Sequence, residues 1–526
     1  MRVIRGPWAG RPPSGSSSRR PAAVAAALWF LAVPAIGALA LMVRPQEPAA
    51  RLPTSLDALA VLPFQAGGGK ERGLCSLALP ETLAARLSPI PGLEVRPMSG
   101  VLRAGIDGTD PARAGTALGV QAVLSGRCWE EHDRLHAEAT LIDVETGYAA
   151  WSRSFSSRGQ PAEAFREEVA LQVAEALFPG AGPRPGAKEE AKAGPAAEYL
   201  FLLARGKIAS SQSSLTLETI DLLERALRES PHAPVLSAAL AEASLNVYLA
   251  GHSPDTAWLV RAEGLARRAI HLGPDEAAGH YALARILYMS GSPIESSRRV
   301  LLALERDPRM APAYRLLAVL ASGAGDPRPV RALRQKVAGA DPSLDAGWVD
   351  TVLALQEGTV EETRARLRDD ISRLRRRGEP TELPLMHLGF LAAEAGDSAE
   401  ALHVASSLAE ASANAPYAET LRVRAMAAMN DAAGVQRVVE RNRDFFVNDH
   451  EYALWVGRAM AMVGRDDEAL EWIQRAVRLG SSDLWSLTNE PGLRRLNADP
   501  RFRQAVAEVR LRAETILELV RAAGYG

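Results

Sequence analysis

Few stretches of this chain carry residue types at spacings that could do chemistry. Residues 66–71 read AGGGKE and include a Gly-Lys pair, the core of a phosphate-binding loop. Such a loop also needs glycine at position 64 and Ser or Thr at position 71 to hold magnesium. Those positions are Phe64 and Glu71, so the stretch reads as a plain loop. His132 and His136 stand four apart, but between a loop and a strand, with no cysteine or carboxylate pattern to complete a metal shell. Cys75 and Cys128 are the only cysteines, too few for a disulfide scaffold. They pair if the compartment is oxidising and if the start of a helix meets a mid-sheet strand within disulfide reach, and stay apart otherwise. There is no Gly-x-Ser-x-Gly elbow and no His-Glu-x-x-His pair. The scattered Asp and Glu have no spacing that singles out a catalytic pair. The expectation is a non-enzyme with no catalytic residues, no metal and no cofactor.

Binding chemistry is better represented. Tyr281, Arg285, Tyr288 and Arg315 form a basic and aromatic set suited to gripping an extended or acidic protein segment, and are the candidate partner-binding residues. Arg373, Arg375, Arg376 and Arg377 make a second basic cluster, read either as the solvated end of a helix or as a contact for lipid or an acidic partner. With 61 Lys and Arg against 63 Asp and Glu, no basic excess points to nucleic acid, and none is expected as a partner.

The elements that position the first set follow from a period of 34 residues. Pro274, Pro308 and Pro342 are spaced by it, as are Ala269 and Ala303, Leu283 and Leu317, Ala284 and Ala318, and the trio His280, Tyr314 and Trp348. That period, with small residues where two helices cross and Pro ending the second, is the tetratricopeptide pattern. Leu388, Gly389 and Ala392 answer Ala401, Ala405 and Leu408 at the same small-to-small spacing. Val456, Gly457 and Met460 answer Ala469, Ile473 and Ala476. Residues 196–480 leave room for about eight such units, and residues 481–526 read as capping helices. In such an array the concave face displays positions 2, 5, 9 and 12 of each first helix, which is where the four candidates fall.

Upstream, residues 1–20 carry five arginines and no acid and read as a disordered cytoplasmic tail. Residues 21–43 run without a charge, long enough as a helix to span about 35 Å against a bilayer core of about 30 Å. They read as a transmembrane helix in the inner membrane with the amino terminus inside. The competing reading is a cleaved signal peptide ending near Ala38 and Ala40. Either way the bulk of the chain is expected in the periplasm.

Residues 56–178 alternate strand-like and helix-like runs in the order β-α-β-α-β-β-β-α, an α+β domain with a mixed sheet. Residues 179–195, PGAGPRPGAKEEAKAGP, form a linker. The runs LAVLPF at 59–64, PETLAARLSPIPGLEVRP at 80–97, ALGVQAVLSGR at 117–127 and AEATLIDVETGYAAW at 137–151 resemble the TolB amino-terminal-like, FlgO-like domain of bacterial envelope proteins. In related chains that resemblance implies a domain placed between a membrane helix and a tetratricopeptide array, with a kinase, a cyclase or a winged-helix domain on the cytoplasmic side. This chain has only about 20 residues on that side, so such an output is not carried over. The expected fold is mainly α: a tetratricopeptide helical solenoid preceded by a small α+β domain and a single amino-terminal transmembrane helix. The expected function is a membrane-anchored periplasmic scaffold for protein partners on the concave face. The alternative is an extracytoplasmic sensory or regulatory component.

Overall fold

The computed structural model describes residues 56–67, 74–103, 110–132, 134–179, 197, 200–201, 204, 216–249, 256–341, 344, 346–377, 381–410 and 415–526. The chain divides into two units, Met1–Arg51 and Leu52–Gly526. The tail at 1–20, the apolar stretch at 21–43 and nearly all of the 179–195 linker lie outside the described residues. Among the described residues no helix is long and apolar enough to cross a membrane.

Strand β1 (Ala58–Val61) is buried at every position, as a central strand covered on both faces must be. It pairs in parallel with β3 (Glu94–Val95) and β4 (Ala122–Glu131), and β2 (Gln65–Ala66) adds to β4. β4, β5 (Arg134–Asp143) and β6 (Ala149–Ser156) continue the sheet as an antiparallel meander, giving the order β3-β1-β4-β5-β6. Helices α1 (Leu79–Leu87), α2 (Met98–Arg103), α3 (Pro111–Leu118) and α4 (Ala162–Leu177) complete this part. The mixed sheet agrees with the pattern of the sequence. The helical stretch after β2 begins as a π-helical turn at Leu74–Ala78 and becomes α only at Leu79. Pro80 explains the break, since it has no amide to donate and belongs at the first turn of a helix. Cys128 is disulfide-bonded, and the sequence holds one other cysteine, Cys75.

The rest is helical. After α5 (Thr216–Glu229) come seven hairpins. They are α6 with α7 (Pro234–Leu249, Ala257–Leu272), α8 with α9 (Ala277–Met289, Pro293–Arg306) and α10 with α11 (Ala311–Ser322, Pro327–Ala340). Next are α12 with α13 (Gly347–Glu357, Val360–Arg377), α14 with α15 (Glu382–Glu394, Ser398–Glu410) and α16 with α17 (Ala415–Ala428, Ala432–Arg441). After the short α18 (Arg443–Phe446) the last pair is α19 with α20 (His450–Met462, Asp466–Arg478). Small residues sit where the pattern places them. A Cβ on Gly457 would lie 2.8 Å from Ile473 Cγ1 and 3.2 Å from the Ala469 carbonyl, so the glycine lets α19 and α20 touch. The repeated prolines have a second use. His280 Nε2 and the Tyr314 hydroxyl each donate at 2.9 Å to the carbonyl six residues back, that of Pro274 and Pro308.

A short α21 (Leu484–Asn489), a 3-10 turn (Pro491–Ala498) and the 23-residue α22 (Pro500–Ala522) end the chain. They do more than cap it. The first part of α22 packs on α20, while its last turns lie on α9, α10 and α11. Ile516 and Val520 are fully buried there among Val300, Leu317 and Val330. Arg521 reaches Asp326 at 2.8 Å, and Tyr525 meets Tyr314 edge-on at 5.8 Å. The array from α8 to α20 thus closes on itself. The seam is backbone against backbone: Gly291 and Gly480 both have positive φ, 77° and 94°. A Cβ on either would fall 1.9 Å from a carbonyl oxygen of the other side. Close by, the Trp485 amide donates to the Gly323 carbonyl at 2.9 Å.

Candidate functional site

Closing the array walls in a cavity of about 350 Å³. The first helix of all seven hairpins contributes to its wall: Tyr248, Tyr288, Val319, Trp348, Phe390, Tyr417 and Trp455 in order from α6 to α19. Phe445, Tyr452 and Trp485 bring the aromatic lining to nine side chains. The rings contact one another around the wall, with Trp348 and Phe390 at 4.7 Å, Phe390 and Trp455 at 4.7 Å, and Tyr417 and Trp455 at 6.3 Å between centroids. Such tilted pairs stiffen the wall as well as burying apolar area.

The polar lining is mostly acidic. Asp444, Asp449, Glu451 and Asp483 line the cavity with His450 beside them, and among the described residues neither Lys nor Arg does. Exposed Asp444 and Asn448 mark its solvent side. Asp449 caps α19 by accepting from the Glu451 and Tyr452 amides at 2.8 and 3.1 Å, and Asp483 caps α21 by accepting from the Ser486 amide at 2.9 Å. Glu451 accepts the Tyr288 hydroxyl hydrogen bond across the seam, and His450 Nε2 donates to the Tyr288 carbonyl at 3.2 Å. Burial pushes the Glu451 carboxyl above the usual range, opposed by His450 and reinforced by the neighbouring Asp449 and Asp483 charges; burial does the same to Asp483. Burial and the Asp449 charge push the Tyr248 hydroxyl up to about 12. Gln356 donates from Nε2 to the Ser322 carbonyl at 2.8 Å, which fixes its amide orientation, and its buried Oε1 has no donor.

Behind this wall sits a buried charge cluster. Arg458 Nη2 lies 2.6 Å from Glu394 and 2.9 Å from Glu490; Arg424 lies 3.4 and 2.9 Å from the same two carboxylates. All four side chains are 6% exposed or less. Burial opposes both charges, yet Arg458 and Arg424 hold Glu394 below its usual value, and Glu394 and Glu490 hold Arg458 above its own. The cluster ties α14, α16 and α19 to the segment after α21.

Of the four candidates proposed from sequence, Tyr288 lines the cavity. The other three are not among its lining residues. Tyr281 is buried and takes a hydrogen bond from Arg315, while Arg285 donates to Glu242 and Asn246 at 3.1 Å each. Burial, the first cause, raises the Tyr281 hydroxyl against the pull of Arg285. Reasoning from sequence missed Trp348 as a lining residue, although it shares the register of His280 and Tyr314, and missed Phe390 and Trp455. An aromatic on the first helix of successive units was the available signal. Arg373, Arg375 and Arg376 are exposed at the end of α13, and Arg373 pairs with Asp370. His136 stacks on Trp129 at 5.3 Å, and no cluster of metal-ligating residues occurs among the described residues.

No family model matches the chain. A Rhizobium meliloti protein that carries an adenylate cyclase name is 28% identical over 247 residues, which is 46% of this chain and 42% of that protein. The chain therefore spans well under half of that relative. Similar solved structures include a tetratricopeptide repeat protein from Parabacteroides merdae, 14% identical with a TM-score of 0.33, covering 54% of this chain and all of that one. The Cut9–Hcn1 hetero-tetramer is 13% identical with a TM-score of 0.38, covering 68% and 76%. The helical solenoid is read from the chain's own hairpins and register.

Proposed function

We propose that the chain is a non-enzymatic scaffold held at the bacterial inner membrane by residues 21–43, with residues 1–20 in the cytoplasm and the rest in the periplasm. Its array serves protein partners, with the α+β part, similar to TolB amino-terminal-like domains, as a second docking module. The observation that carries this reading is the array itself: among the described residues, seven hairpins whose repeated geometry goes into building a walled surface, with small residues at the helix contacts. The disulfide at Cys128 supports an oxidising compartment. Balanced charge supports protein rather than nucleic acid as the partner.

The test is protease accessibility in spheroplasts combined with in-cell crosslinking of the full chain. The reading expects an array cleaved only when the outer face of the inner membrane is opened to protease, and discrete protein adducts. An array protected with the cytoplasm, or a chain that turns over a small molecule and yields no adduct, would overturn it. A sensory role is the second reading, favoured by the relative that carries a cyclase name. Adducts to a kinase, cyclase or transcriptional regulator in the membrane would select it over the scaffold.

A further inference from the structure

The cavity inside the closed array has a chemistry that protein docking does not use. Its volume of about 350 Å³ lies in the range of small-molecule sites. Glu451 and Asp483 line it half-buried, and among the described residues no Lys or Arg comes within ion-pair distance of either. Their hydrogen-bond partners are neutral, the Tyr288 hydroxyl for Glu451 and the Ser486 amide for Asp483, while His450 acts on Glu451 and Arg458 on Asp483 only through space. A carboxylate partly withdrawn from water with no ion-pair partner is a ready place for a cation to bind. Which cation is decided by the rest of the wall. Trp348, Phe390, Tyr417 and Trp455 present ring faces and edges rather than oxygen ligands, and no group of three metal-ligating side chains is present among the described residues. Aromatic faces attract organic cations, whose charge is spread over carbon-bound hydrogens, and offer nothing to a metal ion that must replace its water shell. Gln356 Oε1 adds a buried acceptor on the same wall that still lacks a donor.

From these features we infer that the cavity is a binding site for a small organic ammonium compound, its cationic head against the Glu451 and Asp483 carboxylates and its carbon body among the rings. An N–H of the ligand would satisfy Gln356. The inference goes beyond the scaffold reading and stands without it. It makes ligand occupancy a stabiliser of the closed array, because Glu451 hangs from the seam that Tyr288 helps to form.

The test is titration of the full-length chain, in detergent, followed by tryptophan fluorescence and calorimetry. Trp348, Trp455 and Trp485 report from the wall itself. The probes are putrescine, benzylamine, choline and tetramethylammonium. Against them stand benzyl alcohol and the neutral carbon analogue of choline, a tert-butyl group in place of trimethylammonium. At least one ammonium probe should saturate below about 10 mM, a concentration that nearly fills a site of about 1 mM dissociation constant. Its neutral counterpart should bind at least about tenfold more weakly. Glu451→Gln keeps an acceptor for Tyr288, and Asp483→Asn keeps the helix cap, so both variants should retain the wild-type circular dichroism. Each should weaken the ammonium probe by about tenfold or more. Failure of all four probes to saturate overturns the inference. So does equal binding of the charged and neutral members of a pair, or wild-type affinity in folded Glu451→Gln. None of these results touches the crosslinking outcome that tests the scaffold.

Discussion

Gly291→Ala and Gly464→Ala are the same substitution in two settings that differ only in what lies opposite. Both glycines turn the corner between the two helices of a hairpin, with φ of 77° and 78°. An alanine in that left-handed conformation costs about 1–2 kcal/mol at either site. At Gly464 nothing lies within 4 Å of the added carbon. At Gly291 the Leu479 carbonyl oxygen would be 1.9 Å away and its carbon 2.7 Å, and a backbone group cannot swing aside as a side chain would. The seam must part, and forced overpacking of this kind costs a further 1–3 kcal/mol or so. For an array of roughly 250 residues each kcal/mol lowers the melting temperature by about 2–4 °C. Gly291→Ala should therefore melt about 2–12 °C below Gly464→Ala when the two are compared by circular dichroism. Amide exchange should quicken in Pro500–Ala522 for the first variant alone. Equal melting temperatures and equal exchange would refute the closure of the array at this point.

Three further outcomes follow from the same contacts. Arg458→Met leaves Glu394 and Glu490 facing Arg424 alone, and should cost about 3–5 kcal/mol in urea unfolding; a loss under about 1 kcal/mol would show that the cluster is solvated. Glu451 and Asp483 have folded-state values above the ordinary 4.5 and 3.8, so the stability tied to their protonated forms is complete below those values and is lost as pH rises through the raised ones. Melting temperature between about pH 4.5 and 7 should fall more steeply for the wild type than for Glu451→Gln, and parallel profiles would contradict the burial assigned to Glu451. Reducing the Cys128 disulfide should destabilise the sheet by about 2–4 kcal/mol while leaving the helical transition in place, and a sheet indifferent to reductant would refute a structural disulfide.

The local part of this fold is written plainly in the chain. Proline at the end of a second helix and a small residue at a helix crossing are requirements of one hairpin and its neighbour. Pro274, Pro308 and Gly457 therefore announce themselves within a 34-residue window. The closure is different. Tyr288 meets Glu451 across 163 positions and Arg521 meets Asp326 across 195, and no local propensity records which distant turn a glycine will touch. The cavity inherits that difficulty. Trp348 reads in isolation as one more packed ring, and becomes a lining residue only when the path of the array returns Asp483 and Trp485 to the wall of the same space. Arg285 adds a shorter case: it pairs with Glu242, one hairpin away, a pairing that sequence spacing leaves open.

That the array closes around its cavity is tested most directly by a distance. Spin labels at Arg298 on α9 and Glu518 on α22, both exposed, sit on helices that pack together in the closed form. Packed helix axes lie about 8–10 Å apart, so double electron–electron resonance should return one narrow distance below about 30 Å. An open solenoid would put five hairpins between the two labels and return a broad distribution centred near 50 Å or beyond, which would contradict the closure and the cavity with it.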